Sequence, residues 1–203
     1  MVRVREHYFS PSPSSELEKG LIKTVLRGRE YTFLTASGLF SYKRIDNGTR
    51  LLVESMIIPE AGLFLDMGCG IGVIGLVAAK ENPDLTVVMT DINPRAIMIA
   101  GENIERMGLE NAEVIEGYLY EPVKGRIFNT IVSNPPVSAG MSRIVEPIVK
   151  SAPRHLASGG SIQLVIQSQK GGNTLAEYLN QTFGDFKILS RSGGYRVLYS
   201  TME

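Results

Sequence analysis

The chain has 203 residues, 43% of them hydrophobic, and its 21 lysines and arginines balance 21 aspartates and glutamates. That length and apolar share suit one compact domain with a full core, expected to span 1–203, while zero net charge excludes any argument for nucleic acid from bulk charge alone. One cysteine excludes an internal disulfide, the two histidines (His7 and His155) lack ligand spacing for zinc, and no run reaches the roughly 20 apolar residues of a membrane span, so a cytoplasmic protein without metal is expected, with a monomer favoured.

Pro11 and Pro13 among serines mark an irregular N-terminal arm. Leu17, Leu21, Ile22 and Val25 have the spacing of a short amphipathic helix over Ser15–Leu26. Tyr31–Leu34 and Leu39–Tyr42 flank Ser37-Gly38 and predict a β-hairpin. Asp46-Asn47-Gly48-Thr49 reads as a turn and helix start, followed by Leu51, Leu52 and Met56. Residues 1–50 carry nine basic side chains (Arg3, Arg5, Lys19, Lys23, Arg27, Arg29, Lys43, Arg44, Arg50) against five acidic ones. This excess reads either as a solvated face or as a rim for phosphates.

From residue 51 the rhythm becomes strand, helix, strand, helix. Strands are predicted at Leu63–Asp66, Leu85–Thr90, Ala112–Ile115, Ile127–Ser133 and Ser161–Ile166. Helices are predicted at Val73–Lys80, after the Asn93 cap and Pro94 up to Gly108, around Ile144–Leu156, and at Thr174–Phe183. Phe186–Ser190 and Tyr195–Ser200 close the chain as a hairpin across Gly193-Gly194. Repeated βα units imply an α/β, doubly wound, mostly parallel seven-stranded sheet. The closing hairpin brings in one antiparallel strand, because a short connection cannot join parallel neighbours. A small helix and β-hairpin precede this sheet.

Two motifs sit at the carboxyl ends of predicted strands, where such sheets bind ligands. The first is Asp66-Met67-Gly68-Cys69-Gly70-Ile71-Gly72. Gly68, Gly70 and Gly72 let the backbone turn tightly and approach a ligand, and the following helix start favours polar groups there. Gly70-x-Gly72-x-x-Gly75 is also a dinucleotide pattern, weak by itself. Asp91 ends the next strand, 23 residues after Gly68, where a carboxylate can accept both hydroxyls of an adenosine ribose. Asp66 would repel a pyrophosphate but attract the cationic amino and sulfonium groups of S-adenosylmethionine; alternatively it only caps the helix. Cys69 reads as a small residue fitting the loop rather than a nucleophile.

The second motif is Asn134-Pro135-Pro136. Each proline forces the preceding residue into extended conformation and has no N–H to donate. The segment presents the Asn134 side-chain oxygen and the Pro135 carbonyl as acceptors. Two acceptors suit an exocyclic NH2 and would fix its plane, with no metal or strong base needed. The alternative is a plain strand-ending turn.

With these residues on the page, the chain resembles class I S-adenosylmethionine-dependent methyltransferases of the amino-methylating kind. Gly38-Leu39-Phe40-Ser41 and Asp46 to Leu52 resemble the "methyltransferase small" family, which includes ribosomal RNA guanine-N2 methyltransferases, and Gly193 to Leu198 fits as well. The resemblance implies a Rossmann-like core over 51–203 behind an N-terminal segment 1–50. It also implies S-adenosylmethionine as cofactor, held by Asp66, Gly68, Cys69, Gly70, Gly72, Asp91, Ile92, Tyr118 and Asn134, with Asn134, Pro135 and Pro136 catalytic. The acceptor it implies is a guanine amine, in ribosomal or transfer RNA; a base in a duplex would have to be flipped out. Val137 stands where relatives often have a base-stacking aromatic residue, and Phe40 and Tyr42 are candidates to stack instead or to fill the hairpin core. Tyr118 stands where many relatives have an acidic residue that reads the adenine amine. A protein glutamine amide is the alternative acceptor, a non-catalytic cofactor-binding scaffold the alternative class, and a dehydrogenase using NAD a distant further reading.

Overall fold

Alternation, not helical spacing, governs the first segment of the computed structural model, which describes residues 17–39 and 42–203. The helix expected from Ser15 is instead strand β1 (Lys19–Leu26), paired antiparallel with β2 (Arg29–Ala36). Ile22 and Leu26 are buried on one face, while Leu21 and Val25 stay exposed on the other. Gly20 weakens a helix here, and the two-residue turn Arg27-Gly28 takes positive φ at both positions (47° and 75°), the twist a tight hairpin needs. The hairpin therefore lies one strand earlier than expected. Leu39 and Tyr42 form no strand, and the expected arm and Phe40 lie outside the described residues.

Arg27 then ties the hairpin down. Its Nε meets Glu81 at 2.7 Å, and its Nη1 donates to the carbonyls of Val53 and Met56. Asp46 caps α1 (Asn47–Ser55), accepting the Thr49 N–H at 3.0 Å, as the turn-and-start reading predicts.

The strands β3 (Gly62–Met67), β4 (Leu85–Asp91), β5 (Ala112–Glu116), β6 (Phe128–Ser133), β7 (Leu156–Gln167), β8 (Lys187–Ser192) and β9 (Tyr195–Thr201) form one sheet in the order β5-β4-β3-β6-β7-β9-β8. Only β9 runs against the others. This is the expected doubly wound, Rossmann-like α/β sheet. Strand β7 starts five residues earlier than predicted. It passes through a bulge at Gly159-Gly160, where the register against β6 shifts and Gly159 has φ 74°.

Alternating strand residues feed two cores. Phe64, Val87 and Val132 pack with α1, α2 (Val73–Glu81), α3 (Pro94–Met107) and the hairpin. Leu65, Val88 and Ile131 pack on the opposite face with α4 (Glu146–Ser151) and α5 (Gly172–Phe183). Each fully buried large side chain contributes about 1.5–3 kcal/mol. Gly75 lets α2 press on the sheet, since a Cβ there would lie 2.5 Å from Met89 Cγ. The helix expected around Ile144–Leu156 is broken into a π turn at Met141–Val145, α4, and a 3-10 turn at Ala152–Arg154, with Pro147 and Pro153 early in the last two. Among the described residues no helix is long and apolar enough to cross a membrane.

Candidate active site

Strands β3 and β6 are neighbours, but the chain leaves β3 toward β4 and leaves β6 toward β7. Their carboxyl ends therefore open a crevice at the switch point of the sheet. A cavity of about 570 Å³ occupies it, lined by Met67 to Ile71, Thr90 to Ile92, Gly117 to Leu119 and Ser133 to Ser138, with Ile45, Asp46 and Thr49 from the start of α1 and Gln167, Lys170 and Tyr195 from the far side. Ser133 Oγ donates to the Met67 carbonyl at 2.7 Å and bolts the two strand ends together.

The glycine loop forms one wall. Gly68, Gly70 and Gly72 have φ of 71°, 57° and 89°, a conformation other residues adopt only with strain. A Cβ on Gly68 would meet nothing within 4 Å and would project into open space. The loop is shaped by bonds to β4: Gly68 and Cys69 N–H donate to the Thr90 carbonyl, and Gly70 N–H donates to Asp91 Oδ2 at 2.9 Å. Asp91 Oδ1 accepts from Asn93 N–H at 2.9 Å, so the carboxylate is held rigidly at the cavity wall. Asn103 supports the same loop from α3, donating to the Ile71 carbonyl while it pairs with both backbone groups of Leu34 in β2.

Asp66 does not line the cavity. It is fully buried beneath the loop, with Oδ2 accepting the Gly75 N–H in the first turn of α2 at 2.9 Å, a bond that the N-cap Gly72 has no side chain to make. Its other oxygen, Oδ1, has no hydrogen-bond partner. Burial pushes its carboxyl up to about 7 against the pull of the Gly75 N–H, and the nearby Asp91 charge adds to the rise. Cys69 is buried, and burial followed by the charges of Asp91 and Asp66 raises its thiol well above the usual range. A protonated, buried thiol is a packing group, not a nucleophile.

Next to Asp91, apolar lining comes from Ile92, which is 43% exposed, with Tyr118 and Leu119 beyond Gly117, whose N–H donates to the Asp91 carbonyl. Tyr118 Oη donates to the Arg143 carbonyl at 3.2 Å. Leu119 takes φ 50°, a conformation costing about 1–3 kcal/mol that persists only where the surroundings demand it.

Asn134 closes the other end. Its Nδ2 donates to Asp46 Oδ2 at 3.0 Å and to Thr49 Oγ1 at 2.9 Å. Both amide hydrogens are spent, and the reversed orientation would set Oδ1 against the Asp46 carboxylate. The amide is therefore fixed, and Oδ1 is left as the acceptor. Pro135, Pro136 and Val137 continue the cavity wall. Asp46 and Thr49 read in the sequence as a helix start and as part of the family-like segment Asp46 to Leu52, without a role in the site; their contacts with Asn134 span 88 and 85 residues, which no local pattern reveals.

The expected basic rim is partly absorbed by the fold. Lys19 pairs with Glu102, Arg27 with Glu81, and Arg50 holds Thr24 Oγ1 and the Val25 carbonyl. Arg3 and Arg5 lie outside the described residues. Lys43 and Arg44 remain exposed beside the cavity residue Ile45, and exposed Lys170 lines the mouth itself.

The model of one family, "Methyltransferase small domain", matches residues 30–199. A Bacillus subtilis protein, uncharacterized protein YbxB, is 36% identical over 195 residues, 95% of this chain and 96% of its own. The ribosomal RNA small subunit methyltransferase C of Hamiltonella defensa is 32% identical over 174 residues, 83% of this chain and 49% of its own. Among solved structures, a Thermus thermophilus 16S rRNA N2 G1207 methyltransferase in complex with AdoMet and guanosine superposes with a TM-score of 0.81 at 26% identity, over 95% of this chain and 52% of its own. The chain thus spans about half the length of these two ribosomal RNA methyltransferases.

Proposed function

The chain belongs to the methyltransferase small domain family, and we propose that it transfers a methyl group from S-adenosylmethionine to an exocyclic amino nitrogen, guanine N2 in ribosomal or transfer RNA. The observation that carries this reading is the fixed amide of Asn134, with both hydrogens donated inward and Oδ1 left as an acceptor.

The cavity fits the cofactor. The glycine loop offers a cradle that a side chain would fill, and Asp91 stands beside it to take the ribose hydroxyls. Gly68, Gly70 and Gly72 admit the amino-acid end of the cofactor. Cys69 packs behind them, and Asp66 braces the loop from beneath by accepting the Gly75 N–H. Ile92, Tyr118 and Leu119 form an apolar slot for the adenine. When bound, S-adenosylmethionine supplies a methyl group on a cationic sulfur, open to attack by a nucleophile.

The protein's own work is positional. Asn134 Oδ1 and the Pro135 carbonyl accept the two hydrogens of the amine and hold its plane. Drawing on those N–H bonds stabilises the positive charge that grows on nitrogen during transfer. Pro136 keeps the segment stiff, and Asp46 and Thr49 keep the Asn134 amide from turning over. No strong base is needed, because the methylated nitrogen is acidic enough to lose its proton to water.

RNA as the acceptor rests on the ribosomal RNA methyltransferases to which the chain is similar, and on the cations at the cavity mouth, which suit phosphates. The test is incubation with labelled S-adenosylmethionine and separate total RNA and total protein fractions. Label in RNA as N2-methylguanosine supports the reading. Label on protein glutamine overturns the acceptor, and binding of cofactor without transfer to any fraction leaves a scaffold.

A further inference from the structure

The run Gly193-Gly194-Tyr195 is so far unused by the proposed reaction. Strand β9 alone runs antiparallel, so it begins where the parallel strands end. Its first residue, Tyr195, is thereby delivered to the carboxyl edge of the sheet, in register with Gln167 of β7. The Ser168 N–H donates to the Gly194 carbonyl at 2.8 Å and pins the turn there.

The Tyr195 ring is half-buried and lines the cavity at the Asn134 end. It rests on Gly48 of α1, where a Cβ would lie 2.9 Å from ring Cε1 and 3.0 Å from Cδ1. Only glycine at 48 leaves the ring in this place. The same Cβ position lies 3.0 Å from Asp46 Oδ2, so the ring sits beside the group that orients Asn134. Of the described residues lining the cavity, only Tyr118 and Tyr195 are aromatic, and Tyr118 belongs to the segment beside Asp91. Val137, next after the two prolines, has no π face.

Resting on the reading of guanine as acceptor, we propose that Tyr195 is the surface on which the acceptor base stacks, and that Gly48 is the residue that gives its ring room. Base-on-aromatic stacking tolerates any purine and suits an amphipathic ring with one wet edge.

The probe is a single-stranded oligoribonucleotide carrying one 2-aminopurine, which keeps the amine at carbon 2 and loses fluorescence when stacked. The chain contains no tryptophan, so the signal is read without indole background. Quenching is expected with the wild type and with Tyr195→Phe, which keeps the ring. Tyr195→Leu should abolish the quenching and weaken binding by roughly 5- to 150-fold, the range of one lost stack, with S-adenosylmethionine affinity and melting temperature retained. If Tyr195→Leu does not fold, Gly48→Ala serves, since it displaces the ring without removing it, and reduced quenching is expected there too. Equal quenching in wild type and in the folded variant overturns the assignment of Tyr195 alone. An oligonucleotide that does not bind the wild type overturns the nucleic-acid reading and the Tyr195 role with it.

Discussion

Removing Asp46 isolates the orientation of the amine clamp. Asp46 Oδ2 accepts both the Thr49 N–H and Asn134 Nδ2, each at 3.0 Å. Asp46→Ala loses both bonds. The lost helix cap costs about 1 kcal/mol, which lowers the melting temperature of a chain this size by roughly 2–4 °C. The lost charge-assisted bond removes about 1.5–3 kcal/mol of preference for the working amide orientation. Thr49 Oγ1 remains, but a hydroxyl can donate or accept and no longer distinguishes the two orientations. A preference of that size expressed in the transition state changes turnover by roughly 10- to 150-fold. Asp46→Asn keeps one oxygen able to accept both bonds, without the charge, so the melting temperature should hold and turnover should fall less than in Asp46→Ala. The assay is kcat for methyl transfer alongside cofactor Kd by calorimetry and thermal melting. Wild-type kcat in Asp46→Ala, or a fall in kcat matched by an equal loss of cofactor affinity, refutes the reasoning.

Three other perturbations probe the rest of the site. Asp91→Ala should weaken S-adenosylmethionine binding about 100-fold or more, through two lost charge-assisted bonds to the ribose and a relaxed Gly70 loop; unchanged affinity by calorimetry sinks that role. Asp66, raised from 3.8 to about 7, keeps its proton in the folded chain where the unfolded chain has lost it, so its contribution to stability is full below about pH 4 and lost as pH climbs toward 7. Asp66→Asn should flatten this slope in denaturant melts, and a slope that persists unchanged assigns it to another group. Asn103→Ala strips partners from Leu34 N–H, Leu34 C=O and Ile71 C=O at once. It should destabilise the protein by about 3 kcal/mol or more, with hydrogen exchange rising in β2 and the glycine loop together; exchange confined to β2 would separate the two.

The sheet was readable because its strands are continuous apolar runs bounded by glycine, proline and asparagine, as at Leu85–Asp91 before Asn93-Pro94. The first hairpin was not. Leu17, Leu21, Ile22 and Val25 fit a helical stripe, and pairing with β2, which no local spacing encodes, leaves Leu21 and Val25 exposed. The start of β7 falls outside the predicted Ser161–Ile166 because Gly159-Gly160, poor strand formers, carry the strand through a bulge. The site divides in the same way. The glycine loop and Asn134-Pro135-Pro136 announce themselves because each is a few adjacent residues with restricted backbones. Asp46, Thr49 and Tyr195 reach the same cavity through α1 and β9, and only the sheet order brings them together. Asp66 shows the limit of placing a charge by sequence: the strand end is right, but the side chain points under the loop to Gly75 rather than into the cavity.

The most direct test of the account is nucleoside analysis of RNA methylated in parallel by the wild type and by Asn134→Ala, each first shown to bind S-adenosylmethionine. The account predicts new N2-methylguanosine from the wild type and little or none from Asn134→Ala at unchanged cofactor affinity. Methylation at a ring carbon or a ribose hydroxyl, or equal N2-methylguanosine from both proteins, would contradict it.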